Sequence, residues 1–198
     1  MPLDIFLALI VFAFVTSITP GPNNLMLLAS GVNFGFRRTI PHMLGIGGGF
    51  LSLLLGVGFG LGALLAAWPA LHTALKLAGG AYLIYLAWRI AMSRALSDGR
   101  AAEARPMTFL EAAAFQWVNP KAWVMAVTAM AVYTDPASQS PSVLIVAVAF
   151  ALVNLPSVST WAGFGTALRG FLSEPRRLKW FNIAMGVSLV ASLWPMLR

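Results

Sequence analysis

Apolar residues run along this chain in long blocks, with polar and charged residues gathered in short stretches between them. Blocks near the ~20 residues that a bilayer crossing demands fall at about 4–30, 41–67, 71–92, 109–132, 143–168 and 180–197. The pattern predicts an all-α polytopic membrane protein with six transmembrane helices, the sixth short enough to tilt little. Three blocks are interrupted: the first at Pro20–Pro22, the fourth at Asn119-Pro120-Lys121 and the fifth at Asn154-Leu155-Pro156. The second is rich in glycine, with Gly45, Gly47, Gly48, Gly49, Gly56, Gly58, Gly60 and Gly62. Such residues suit close helix packing. No lysine followed by serine or threonine comes after them at phosphate-loop spacing.

The chain is organised around Thr19-Pro20-Gly21-Pro22-Asn23-Asn24. Two prolines and a glycine remove backbone donors where hydrocarbon has no water to replace the lost bonds. A break at that depth survives if it is buried in protein or lines a water-filled cavity. Pro22 suits the first turn of a new helix, so the segment reads as two half-helices. The second half-helix offers free amide groups, helped by Asn23 and Asn24, to an anionic group. A proline kink without a ligand is the plainer alternative.

Composition agrees with the hydropathy pattern. Of 198 residues, 59% are hydrophobic and 10% charged, against the ~25% charged of soluble domains, and mean hydropathy is +0.82. Zero cysteines exclude a disulfide framework, a thiolate metal site and thiol redox chemistry. The net charge of +7 comes from residues placed between apolar blocks, which points to membrane topology and not to nucleic acid. Arg37 and Arg38 follow segment one. Arg89, Arg94, Arg100 and Arg105 end or follow segment three, and Arg169, Arg176, Arg177 and Lys179 follow segment five. Residues 68–72 carry no lysine or arginine, and 133–142 carry only Asp135. This asymmetry places both termini outside, with Arg198 opposing by one charge. Met1-Pro2-Leu3-Asp4 lacks the basic start of a signal peptide, so the first segment is expected to remain a membrane helix.

The two halves resemble each other. Phe14–Pro20 is matched by Ala114–Pro120, with Pro20 and Pro120 offset by 100. Gly58-Phe59-Gly60 recurs as Gly163-Phe164-Gly165, Leu75-Lys76 recurs as Leu178-Lys179, and Trp88 and Trp194 close the two units. A three-helix repeat inserts its second copy upside down. Inverted repeats with broken helices near the midplane mark secondary transporters, whose site lies where the breaks face each other. That pairs Thr19–Asn24 with Asn119–Lys121. One transporter domain is expected over 1–198, with repeat one at about 1–92, a cytoplasmic loop at about 93–107 and repeat two at about 108–198.

Lys121 lies about a dozen residues into segment four, where a charge is expensive without a partner or a role. It is read as facing the cavity, holding a substrate carboxylate or losing its proton during transport; snorkelling to an interface is the alternative. Lys76 sits nearer a helix start, where snorkelling competes evenly. Asn119, Asn154 and Asn182 are amides within apolar blocks that bind substrate or bond across helices, the second reading being favoured for Asn182. His42 and His72, at segment ends without clustered acids, give no divalent-metal path. Asp4, Asp98, Glu103, Glu111, Asp135 and Glu174 all fall in loops or near segment ends. With no midplane carboxylate to relay protons, the coupling candidates are Lys121, Lys76, Glu111 or the substrate itself. No serine–histidine pair supports intramembrane hydrolysis.

Thr19-Pro20-Gly21-Pro22-Asn23, the glycine-rich second segment, Leu75-Lys76 with Gly79-Gly80-Ala81-Tyr82-Leu83, and Asn119-Pro120-Lys121-Ala122 together resemble the lysine exporter and homoserine/threonine exporter (LysE/RhtB) family. The resemblance covers essentially the whole chain; its first and last motifs are specific, the glycine stretch is not. It implies a bacterial inner-membrane exporter of amino acids or close derivatives, driven by the proton gradient, with six helices and a homodimeric state, and no cofactor. The 93–107 loop carries no motif that ties it to a substrate. The expected substrate-binding residues are Thr19, Pro20, Gly21, Pro22, Asn23, Asn24, Asn119, Pro120, Lys121 and Asn154. The start of the second half-helix would take a carboxylate, Lys121 would add charge or proton coupling, and Asn119 and Asn154 would orient an amine through their amide oxygens. A lysine at the site favours neutral amino acids over cationic ones. The rival readings are an exporter of a metal or other small ion or metabolite, and a non-transporting membrane scaffold subunit; an enzyme is not expected.

Overall fold

The computed structural model describes residues 1–61, 67–93, 96 and 105–194. Gly62, Arg94, Asp98, Arg100, Glu103 and Arg198 lie outside the described residues, as does the side chain of His72. Eight α-helices are described: α1 (Leu3–Ile18), α2 (Pro22–Phe34), α3 (Phe36–Gly56), α4 (Pro69–Met92), α5 (Phe109–Gln116), α6 (Pro120–Tyr133), α7 (Gln139–Leu168) and α8 (Pro175–Ala191). A π turn, Val57–Leu61, extends α3 and ends where Gly60 takes φ +112°. Among the described residues there is no strand.

Two stretches are long and apolar enough to cross a membrane unaided: α3 through its π turn, with mean hydropathy 1.9, and α7, with 2.1. The pair α1 and α2, bent by 54° at the Thr19–Gly21 break, makes a third if it counts as one span. At 1.5 Å per residue, the 17 residues of α8 reach about 25 Å, less than the ~30 Å hydrocarbon core.

Both breaks foreseen at prolines in the first and fourth segments are present. Pro20 and Pro22 lack the N–H needed to continue α1, and Pro22 opens α2 at its first position. In the fourth segment α5 ends at Gln116, Trp117 and Val118 form a turn, and Asn119 caps α6. The interruption expected at Asn154-Leu155-Pro156 is absent, because α7 runs unbroken with Pro156 inside it. A single proline deletes one helical donor. Ser157, Ser159 and Thr160 each donate a hydroxyl back to the carbonyl four residues earlier, on Val153, Leu155 and Pro156, adding side-chain bonds to the backbone around Leu152 O, the carbonyl whose helical donor Pro156 deletes.

Helices approach closely where glycines meet backbone. Gly31 of α2 and Gly165 of α7 face each other's helices, so that a Cβ on either would run into the carbonyl of Ala162 or Leu28. Gly45 and Gly49 seat α3 against Phe109 and Ala113 of α5. By contrast a Cβ on Gly47 would meet nothing within 4 Å among the described residues beyond its own helix, so the packing role read for the second segment's glycines holds for particular members. One core cluster joins Leu9, Phe50, Leu53, Ala126 and Phe150, with Phe50 and Phe150 edge to face at 5.4 Å. A second joins Leu27, Ile46, Leu83, Phe115 and Leu189. Leu7, Val11, Leu77, Ile84, Val124 and Leu152 point outward and exposed, as side chains do when the surrounding solvent is lipid. The two breaks lie between the two clusters.

Candidate functional site

A helix end at membrane depth must find donors for its last carbonyls inside the protein. The end of α1 does so one oxygen at a time. The Thr19 N–H bonds to Val15 O, and the Thr19 hydroxyl to Thr16 O at 3.2 Å. Asn24 Nδ2 donates to the carbonyls of Ser17 and Thr19, both at 2.8 Å. Trp161 Nε1, from α7, donates to Ile18 O at 3.0 Å. The Lys121 ammonium, from α6, donates to Thr19 O at 2.7 Å, Thr19 Oγ1 at 3.0 Å and Pro20 O at 3.3 Å. Lys121 thus faces the negative end of α1. Its aliphatic stem passes over Gly21, where a Cβ would lie 2.7 Å from Lys121 Cδ. Gly21 has extended backbone, φ −176°, so glycine is needed there for room and not for conformation.

The start of α2 has no such cover. Gly21 is its N-cap and no side chain caps it, so its first-turn amides keep the partial positive charge of a helix N-terminus. The start of α6 differs: Asn119 Oδ1 accepts the Lys121 N–H at 3.1 Å. That bond closes the second break and employs the amide oxygen that the sequence assigned to an amine. Trp123 Nε1 donates to Trp117 O at 2.8 Å and covers another carbonyl there.

The two breaks touch through a reciprocal amide pair. Asn23 Nδ2 donates to Gln116 Oε1 at 2.7 Å, and Gln116 Nε2 donates to Asn23 Oδ1 at 3.1 Å and to Ala112 O at 2.9 Å. Gln116 is fully buried, and sequence reasoning did not single it out. A polar residue inside an apolar block, in the stretch matched to Phe14–Pro20, was the available signal.

Between the breaks lies a cavity of about 30 Å³, space for about two water molecules. Its polar wall holds Thr16, Ser17, Asn24, Gln116, Lys121 and Asn154, and its apolar wall Ile46, Phe50, Met125 and Val158. Gly21, Asn23 and Asn119 also line it. Asn154 is 7% exposed, and its Oδ1 finds no partner among the described residues. Its Nδ2 makes a 3.4 Å bond to Ser17 Oγ. A buried acceptor without a partner among the described residues and an uncapped helix start thus line the same cavity with opposite electrostatic character.

The remaining candidates stand elsewhere. Lys76 is half-buried in α4 and does not line the cavity. Glu111 begins α5, where its carboxylate takes two 2.7 Å bonds from Arg105 and completes a capping box with Thr108. Those bonds raise the pKa of the Arg105 guanidinium above its ordinary value. Asn182 bonds across helices, reciprocally with Asn33 at 2.9 and 3.2 Å, and donates to Ser93 O. His42 is buried in α3, with neither ring nitrogen bonded among the described residues. Among the described residues no group of His, Cys, Asp and Glu could hold a metal ion.

Residues 14–191 match the family of LysE type translocators. The chain belongs to that family. This LysE type translocator is therefore a multi-pass membrane protein that moves a solute and not an enzyme. It is 35% identical over 184 residues to the cysteine/O-acetylserine efflux protein of Escherichia coli (strain K12), with 90% of each chain covered. It has the same identity and coverage with the protein of that name from Shigella sonnei (strain Ss046). Against that of Escherichia coli O6:K15:H31 (strain 536 / UPEC) the identity is 34%, again over 90% of both chains. No solved structure matches it.

Proposed function

We propose that this LysE type translocator exports small neutral amino acids or close derivatives from the cytoplasm by alternating access, driven by the proton gradient. The observation that carries the reading is the cavity's pairing of an uncapped helix start at Gly21–Asn24 with the unpartnered Asn154 Oδ1. The first suits a carboxylate and the second an ammonium. The apolar wall of Ile46, Phe50, Met125 and Val158 suits a short uncharged side chain. Relatives at this similarity are named for the efflux of cysteine and O-acetylserine, and both are zwitterions of that kind. Lys121, the one cavity-lining cation among the described residues, is the coupling residue in this reading, since Lys76 and Glu111 do not line the cavity.

The reading includes six crossings in two inverted repeats, with both termini on the outer face of a bacterial inner membrane. Packing supports the repeat: α1 lies along α7 as α5 lies along α3, while α3 meets α7 and α4 meets α8. An exchange of the two halves turns the first of these contacts into the second and leaves each of the last two as itself. The basic residues after segments one, three and five support the orientation.

The test loads cells expressing wild type, Asn154→Leu or Lys121→Ala with a dipeptide mixture and follows every amino acid in the medium. Faster release of one or a few neutral amino acids by wild type alone is the expected result. If no amino acid differs while the protein is correctly inserted, the substrate class is wrong.

A further inference from the structure

The oxygens at the end of α1 have a property that amino-acid export does not require. Thr19 O, Thr19 Oγ1 and Pro20 O converge on one point, and the group at that point is the chain's own Lys121 ammonium, 2.7, 3.0 and 3.3 Å away. An ammonium has three N–H donors and no acceptor, so three oxygens satisfy it completely. Hard metal cations collect more oxygens than this. The lysine arrives from the opposite break, through a groove kept open by Gly21. Broken-helix transporters commonly coordinate a coupling cation with unwound carbonyls and half-helix C-termini.

We propose that these three oxygens are a binding site for a primary ammonium group, and that Lys121 is its tethered occupant. The chain carries in its own sequence the cation that such a break would otherwise take from solution. The wild-type protein then needs no alkali cation at this place. Removing the side chain beyond Cβ leaves a vacancy shaped like n-propylammonium, the fragment that Lys121→Ala deletes.

The test measures melting temperature on the purified full-length protein in detergent, titrated with n-propylammonium, tetramethylammonium or sodium chloride at equal ionic strength. Lys121→Ala is expected to gain about 3–5 °C when propylammonium reaches about ten times its dissociation constant. Tetramethylammonium, which has no N–H, and sodium give no comparable gain, and wild type responds to none of the three. A variant no more responsive to propylammonium than wild type overturns the proposal, as does an equal response to sodium. Should Lys121→Ala not survive purification, its yield in membranes of cells grown with and without propylammonium carries the same comparison: a rise supports the site and an unchanged yield overturns it. Melting reads the site without transport, so this result stands apart from whether the substrate is an amino acid.

Discussion

Gly21→Ala tests whether Lys121 is held where the structure places it. Alanine adopts the extended backbone of Gly21, φ −176° and ψ 177°, without strain, and the three nearest atoms its Cβ would meet all belong to Lys121. The closest, Cδ at 2.7 Å, must retreat by about 0.7 Å to reach ordinary carbon contact. The bond to Pro20 O, already 3.3 Å long, breaks on any such retreat. Losing one hydrogen bond to a charged group costs about 1.5–3 kcal/mol, while alanine restricts the unfolded chain and returns about 0.4–1 kcal/mol. The net loss is about 0.5–2.6 kcal/mol, or about 1–10 °C in melting temperature for a chain of this size.

The same substitution in a Lys121→Ala background meets no lysine. Only the unfolded-state term remains, so Gly21→Ala should there raise the melting temperature by about 1–4 °C. The sign reversal is the signature of direct coupling. Four purified proteins and one melting assay measure it. A shift of the same sign in both backgrounds refutes the contact.

Asn154→Leu removes a buried acceptor that has no partner, so stability should hold or rise by up to about 1 kcal/mol while efflux is lost; efflux at the wild-type rate removes Asn154 from the site. Asn182→Ala deletes the amide pair with Asn33, and the melting temperature should fall with about 1–3 kcal/mol of lost stability. Adding Asn33→Ala should then cost less than it does alone, and additive losses contradict the pairing. Gly165→Val drives a side chain into the Leu28 carbonyl, and folded protein in membranes should fall sharply, as read by fluorescence-detected size exclusion; a normal yield contradicts the close α2–α7 approach.

The two helix breaks were legible because proline and glycine act locally. Pro20 and Pro22, two positions apart, remove two donors and flank Gly21, whose backbone is fully extended, whereas Pro156 stands alone amid hydroxyls that bond back along α7. The sequence shows the prolines, but only the fold shows which backbone groups find other partners. Lys121 was legible through its depth in an apolar block. Its acceptors were not, since they come from a segment 101 or 102 residues away. Asn119 and Asn154 looked alike in sequence; the structure separates them, because Asn119 begins a helix and caps it while Asn154 sits in mid-helix with no such task. The Asn23–Gln116 pair, 93 residues apart in the chain, depends on tertiary packing that no local pattern encodes.

Under the proposed alternating access, the cavity must widen, since about 30 Å³ is less than an amino acid fills. Bonds within the first break, from Asn24 to Ser17 and Thr19, join α2 to α1 and need not change. The glycine contacts of α2 with α7 and of α3 with α5 bring backbone against backbone and resist sliding. The links between the breaks are of another kind: one neutral amide pair, Asn23 with Gln116, and one ammonium on three oxygens. Each of these groups finds an equivalent partner in water, so exchanging them costs about 0.5–1.5 kcal/mol per neutral bond once water or substrate enters. A gate built from exchangeable polar pairs between glycine-packed rigid units can open without unfolding either unit. Under that proposal opening would begin at Gln116 and Lys121, and Gln116→Leu, which takes no replacement bond from water, should hold the breaks less specifically and alter the rate of efflux more than its substrate preference.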